Sequence, residues 1–150
     1  MREDSKNYCY EHSRRVEFHE TDLAGIVHFS NFYRYMESAE HAFLRSLGHP
    51  VPGRAAEDGV GWPRVSASCE FRKPAPNDDV LRIRVSIEEI RTRSVRYSFR
   101  FYLDPGDDPI ATGTVAVACV QFKDGEISAV PIPEQIRADL KSAEAAANPE

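Results

Sequence analysis

Basic charge, paired cysteines and long apolar runs are all scarce in this chain. Its 150 residues carry a net charge of −5. A protein that grips nucleic acid in bulk is usually basic, so that class is disfavoured. The three cysteines, Cys9, Cys69 and Cys119, are odd in number and far apart. They form neither a disulfide framework nor a zinc spacing. Cys69 and Cys119 alternate with apolar neighbours and are expected as buried thiols rather than nucleophiles. No stretch approaches the length of a transmembrane helix. The start, Met1-Arg2-Glu3-Asp4-Ser5-Lys6-Asn7, lacks the apolar core of a signal peptide. A cytoplasmic location is the expectation, with no membrane insertion and no nucleic-acid partner. Internal repeats, low-complexity blocks and glycine-rich phosphate loops are missing too. His12, His19, His28, His41 and His49 show no convincing ligand spacing, so no metal is expected.

What is present suits one domain. With 41% hydrophobic and 29% charged residues, a chain of this length buries a core without disulfides. Residues 1–10 read as a loose arm. A first strand is expected over 12–19, where Val16 and Phe18 stand at strand spacing. Residues 23–28 form a turn or short helix around Gly25. Ser30 or Asn31 then caps a helix that runs to about Leu47 and stops at Gly48 and Pro50. Phe32, Met36, Ala39, Phe43 and Leu47 recur at helical spacing, and Tyr35 and Leu44 widen that stripe. Arg34, Glu37, Glu40 and Arg45 are expected largely off it.

Residues 48–61 form a loop long enough to act as a lid or a partner contact. Four strand-like runs follow, over 62–73, 80–90, 94–103 and 110–122. The first three alternate apolar and polar residues, which predicts antiparallel strands with one dry and one wet face. In the first, Val65, Ala67, Cys69 and Phe71 share a side. The fourth is apolar on both faces and is expected centrally. Pro105-Gly106-Asp107 and Asp124-Gly125 are turns. Pro133 and Glu134 open a final helix with Ile136 and Leu140 as its apolar contacts. A strand, one aromatic-rich helix and four more strands predict an α+β domain in which the sheet wraps the helix.

Asp22 is the residue with the most chemistry around it. It lies in Glu20-Thr21-Asp22-Leu23-Ala24-Gly25-Ile26-Val27-His28-Phe29-Ser30-Asn31-Phe32, beside a glycine turn and a helix start. A helix start presents unpaired N–H groups and partial positive charge. Such groups can hold a developing oxyanion, while a nearby carboxylate attacks or deprotonates a water. Thr21 and Asp22 are equally suited to plain capping.

The stretch from Val16 to Glu37, together with the element order, resembles the hotdog fold. In detail it is similar to the 4-hydroxybenzoyl-CoA thioesterase-like branch of acyl-CoA thioesterases. The likeness continues more weakly through Phe71-Arg72-Lys73-Pro74-Ala75 to about Phe122. It implies an antiparallel sheet of about five strands around one long central helix. It implies that Asp22 matches the catalytic carboxylate, as nucleophile or general base. The Phe29 N–H matches the group that polarises the thioester carbonyl, and Gly25 the turn glycine that lets backbone approach substrate. Asn31 matches the helix-start Asn. Several members carry Tyr-His where this chain has His28-Phe29, so His28 stands one position early: it either reaches the site as a further catalytic residue or packs elsewhere. Another hotdog branch uses an acid inside the long helix, which keeps Glu37 as an alternative catalytic residue.

The resemblance also implies a homodimer or homotetramer with sites shared between subunits. No cofactor is implied, because coenzyme A is part of the substrate. Coenzyme A phosphates call for local positive charge, for which Arg72 and Lys73 are candidates. Arg91, Arg93, Arg96 and Arg100 are either a second such group or a solvated sheet face with salt bridges. Asn31, Tyr35 and Trp62 join Arg72 and Lys73 as substrate-side residues, with Tyr35, Met36, Trp62 and the 48–61 loop shaping the acyl slot. Two other functions stay open: a hotdog hydratase or dehydratase on acyl thioesters, and a non-catalytic acyl-thioester binding module.

Overall fold

A computed structural model describes residues 7–51 and 59–148. Strand β1 (Tyr10–Arg15) is followed by a single 3-10 turn, Phe18–Glu20, and by helix α1 (Asn31–Ser46). Then come β2 (Val60–Gly61), β3 (Arg64–Phe71), β4 (Val80–Ile90), β5 (Ser94–Leu103), β6 (Ala111–Ala118), β7 (Val120–Lys123), β8 (Glu126–Ala129) and helix α2 (Glu134–Ala147). The main sheet has five strands in the order β1-β4-β5-β6-β3, and every neighbouring pair is antiparallel. A small three-stranded sheet, β2-β7-β8, extends from it. No helix among the described residues is long and apolar enough to cross a membrane.

Helix α1 lies on the sheet because its stripe has nowhere else to go. Phe32, Tyr35, Met36, Ala39, Phe43 and Leu44 are buried against Leu81, Ile83 and Val85 of β4, Tyr97, Phe99 and Phe101 of β5 and Val115 and Val117 of β6. Burying each large side chain of this kind contributes about 1.5–3 kcal/mol. The inward residues of β4 and β5 alternate as expected and share register, Ile83 with Phe101 and Val85 with Phe99.

Closest approach comes at Gly113, which pairs with Phe99 and Cys69 across the ladder. A Cβ there would stand 2.5 Å from Met36 Sδ and 2.9 Å from the Ser68 carbonyl oxygen. Gly113→Ala should therefore lower stability by about 1–3 kcal/mol through overpacking. The urea midpoint measures this; an unchanged midpoint would mean that Met36 and β3 yield without cost.

Several expectations need correction. Phe18 is not on the first strand: it stands in the 3-10 turn and is 81% exposed. The arm is tied down by residue 7, since the Asn7 carbonyl oxygen accepts from Ser86 Oγ and Arg100 Nη2, and Cys9 N–H donates to the Val85 oxygen. Residues 1–6 of that arm fall outside the described residues. So do residues 52–58, half of the expected 48–61 loop.

Strand β3 is an edge strand, and Val65 and Phe71 on its supposedly dry face are 63% and 46% exposed. The run over 110–122 breaks at Cys119, where β7 departs for the small sheet, and β5 rather than β6 is the middle strand. Glu40 is fully buried. It stands four residues after Met36 and three before Phe43, which places it on the inward face. Helix α2 docks through the buried Leu140, and Arg137 Nη2 donates to the Arg91 and Thr92 carbonyls.

Candidate active site

The segment between β1 and α1 is a compact knot of backbone bonds. Asp22 N–H donates to the Ile26 oxygen at 2.9 Å, and Gly25 N–H to the Asp22 oxygen at 3.0 Å. Gly25 has φ +76°, a left-handed conformation that favours glycine. The knot is sewn to the segment after β3, where Val27 N–H reaches the Ala75 oxygen at 2.8 Å. Asn77 N–H donates to the Gly25 oxygen at 3.0 Å.

Asp22 is exposed, and its Oδ1 accepts from Ala24 N–H at 2.8 Å. One carboxylate oxygen thus fixes the side chain to its own turn, which leaves the other for chemistry. Neither Ser30 nor Asn31 caps the helix with its side chain, contrary to expectation. The Ser30 hydroxyl goes to His28 Nδ1 at 2.7 Å. Asn31 Nδ2 turns back to donate to the Glu20 carbonyl oxygen at 2.8 Å, a structural tie. His28 N–H donates to the same oxygen at 2.9 Å, and Asn31 N–H to the His28 oxygen. Phe29 N–H, between them, donates to nothing among the described residues.

Asp22 and Phe29 line one cleft of about 450 Å³ with Ile26, Phe32, Phe71, Arg72 and Lys73. Its wall is aromatic: the Phe32 ring meets Phe71 edge-on at 5.1 Å, and Phe29 meets Phe71 at 6.3 Å. The Arg72 and Lys73 side chains are exposed and make no hydrogen bond or ion pair among the described residues. Their backbone N–H groups both donate to the Ile110 oxygen, which fixes where the two cations leave the sheet.

The other sequence candidates fall elsewhere. His28 stacks on Phe29, 4.8 Å between centroids, but is not on the cleft wall. Tyr35, expected at the acyl slot, is fully buried with its hydroxyl donating to Glu20 Oε1 at 3.0 Å. Met36 is likewise buried, over Gly113. Trp62 is buried in the core, and its carbonyl accepts from Arg64.

Glu37 is exposed and pairs with Arg64 at 3.2 Å, in a separate hollow with Glu40 and Tyr33. Arg91 pairs with Glu89 and Arg100 holds Asn7; Arg93 and Arg96 are exposed. None of these four arginines lines the Asp22 cleft. Burial raises the thiols of Cys69 and Cys119 to about 11, which suits inert thiols rather than nucleophiles.

Sequence reasoning missed Glu20. It is nearly buried between Arg14, Tyr35 and the Glu17 N–H, which donates to its Oε1 at 2.9 Å. Nothing in the local pattern marks it, because its side-chain partners come from β1 and α1. Glu17 and His19 also bring ligand-type atoms near Glu20. Both Glu20 oxygens are already engaged, however, so the cluster is built around hydrogen bonds rather than an ion.

An antiparallel five-stranded sheet packed on one long helix, with a carboxylate turn at the helix start, defines a hotdog protein. Residues 16–140 match the family described as the thioesterase-like superfamily. The chain belongs to that superfamily, and it is a thioester hydrolase of the 4-hydroxybenzoyl-CoA thioesterase-like kind. A putative esterase from Aquifex aeolicus (strain VF5) is 37% identical over 128 residues, covering 85% of this chain and 94% of that one. The 4-hydroxybenzoyl-CoA thioesterase of Pseudomonas sp. (strain CBS-3) is 34% identical, covering 80% and 89%. The solved structure of a gentisyl-coenzyme A thioesterase superposes with a TM-score of 0.77 at 32% identity, over 87% of this chain and 99% of the other.

Proposed function

We propose that this protein hydrolyses the thioester of an acyl- or aroyl-CoA to the free acid and coenzyme A, with Asp22 as the catalytic carboxylate. The observation that carries this is that Asp22 and Phe29, whose N–H has no acceptor among the described residues, line one apolar cleft. The thioester carbonyl oxygen accepts from Phe29 N–H, which stabilises the oxyanion as the carbon becomes tetrahedral. Either Asp22 attacks that carbon, the C–S bond breaks to release the thiolate, and water then cleaves the resulting acyl–Asp22 anhydride to free acid and carboxylate. Or Asp22 takes a proton from the water that attacks, the C–S bond breaks to give the acid directly, and that proton passes to the thiolate. The acyl group lies among Phe29, Phe32 and Phe71, and Arg72 and Lys73 meet the phosphates. A hydratase reading is less well served, because the His28 ring is held by Ser30 and stands off the cleft wall.

A homodimer or homotetramer belongs to the same proposal. Among the described residues strand β3 has one edge without a neighbour and exposes Val65 and Phe71, a surface that a second copy would cover. A cytoplasmic location is part of it as well, consistent with three cysteines present as free thiols.

The test is thiol release from benzoyl-, hexanoyl- and palmitoyl-CoA. Release from at least one supports the proposal. An enoyl chromophore gained or lost without thiol would replace it with hydratase chemistry. Tight binding without turnover would replace it with a binding module.

A further inference from the structure

We propose that Glu20 is the positioning residue of the Asp22 site, a buried carboxylate that holds the catalytic turn in register with the helix start. The inference rests on the Asp22 proposal above and adds a residue that touches no substrate. Three elements converge on this one side chain. From β1, Arg14 donates to Oε2; from α1, the Tyr35 hydroxyl donates to Oε1 at 3.0 Å; from its own turn, Glu17 N–H donates to Oε1 at 2.9 Å. The Arg14 guanidinium also lies 4.5 Å over the Tyr35 ring, so the three side chains close on one another.

The backbone of the same residue carries the other half of the device. The Glu20 carbonyl oxygen receives both His28 N–H and Asn31 Nδ2. These two donors bracket Phe29, so they set the direction of its N–H, which has no acceptor among the described residues. Two residues further on, Asp22 is held by Ala24 N–H. Glu20 is thus the point at which the placement of the carboxylate and the placement of the oxyanion donor meet. Charge-assisted bonds to a buried carboxylate are strong and directional. Misplacing a catalytic group by about 1 Å can cost about a hundredfold in rate. A residue that merely filled space would not need three donors from three elements.

Glu20→Gln and Tyr35→Phe test this, assayed with the best substrate of the acyl-CoA panel. The glutamine keeps an acceptor for Glu17 and Tyr35 but turns an N–H toward Arg14. The phenylalanine removes one bond and leaves the packing. Expected are kcat losses of about tenfold or more for Glu20→Gln and about three- to tenfold for Tyr35→Phe, with KM within about twofold. On an Asp22→Asn background, Glu20→Gln should cost no further rate. Amide exchange supplies a readout that needs no turnover: the Ala24 and His28 N–H protons should exchange faster in Glu20→Gln.

A lower melting temperature with kcat per folded molecule and both amide protons unchanged overturns the proposal. If Glu20→Gln does not fold, Tyr35→Phe decides by the same kcat and exchange criteria. If the parent releases no thiol from any substrate, the catalytic proposal fails, and the exchange result still decides whether Glu20 holds the turn.

Discussion

Asp22→Asn should reduce kcat on acyl-CoA by about 10³-fold, within the range lost when a positioned acid or base is removed, while the protein keeps its fold. The substitution is clean because asparagine retains the oxygen that accepts from Ala24 N–H at 2.8 Å. The turn therefore survives, and Gly25 keeps its left-handed backbone. What is lost is the negative charge that, in the proposed mechanism, attacks the carbonyl or draws a proton from water. KM should change little, because the aromatic wall and the Arg72-Lys73 pair are untouched. Glu37→Gln is the parallel control. It removes an exposed partner of Arg64 in a different hollow, and turnover should persist. Full turnover in Asp22→Asn with loss in Glu37→Gln would move the catalytic carboxylate into the helix and overturn the proposal.

Glu40→Gln should change stability in a pH-dependent way, by about 3 kcal/mol across the window from about 4.5 to somewhat above 7. Glu40 is fully buried in the middle of α1, with Oε2 bonded to Arg64 Nη1 at 3.0 Å and Oε1 without a partner among the described residues. Burial raises its carboxyl to about 7; Arg64 pulls it down and Glu37 pushes it up by smaller amounts. The folded protein therefore holds this proton more tightly than the unfolded chain does. The resulting stabilisation is complete below the unfolded value and is lost as pH rises through the folded one.

Glutamine resembles the protonated form and has no such dependence. The parent should lose stability relative to Glu40→Gln as pH rises over this window, then run parallel above it. The difference between the two proteins is the quantity to measure, by urea midpoints from pH 5 to pH 8. Burial lowers His12 and His41, so those groups tilt the total curve the opposite way. A constant difference across the series would show that Glu40 is ionised throughout.

Much of this architecture was legible in the letters because it depends on local period. The stripe of Phe32, Met36, Ala39 and Phe43 needs only a 3.6-residue repeat. The alternation in β4 and β5 needs only a two-residue one. The Asp22 segment was legible for a related reason: carboxylate, turn glycine and helix start lie within ten residues, so their chemistry is held in one continuous piece of chain. Glu40 was expected off the stripe because it is charged, and the structure buries it; its partner Arg64 comes from a strand well downstream, which no local repeat announces.

Other features followed only from tertiary structure. Whether the apolar side of β3 is covered depends on where β3 pairs, and the pairing order left it at the sheet edge with Val65 and Phe71 exposed. Tyr35 looked like a slot residue until the fold set Glu20 and Arg14 beside it. The sequence by itself determined which faces are apolar and where a carboxylate turn meets a helix. Only the folded register decided which polar groups meet one another, because those partners lie on separate elements whose approach no local repeat encodes.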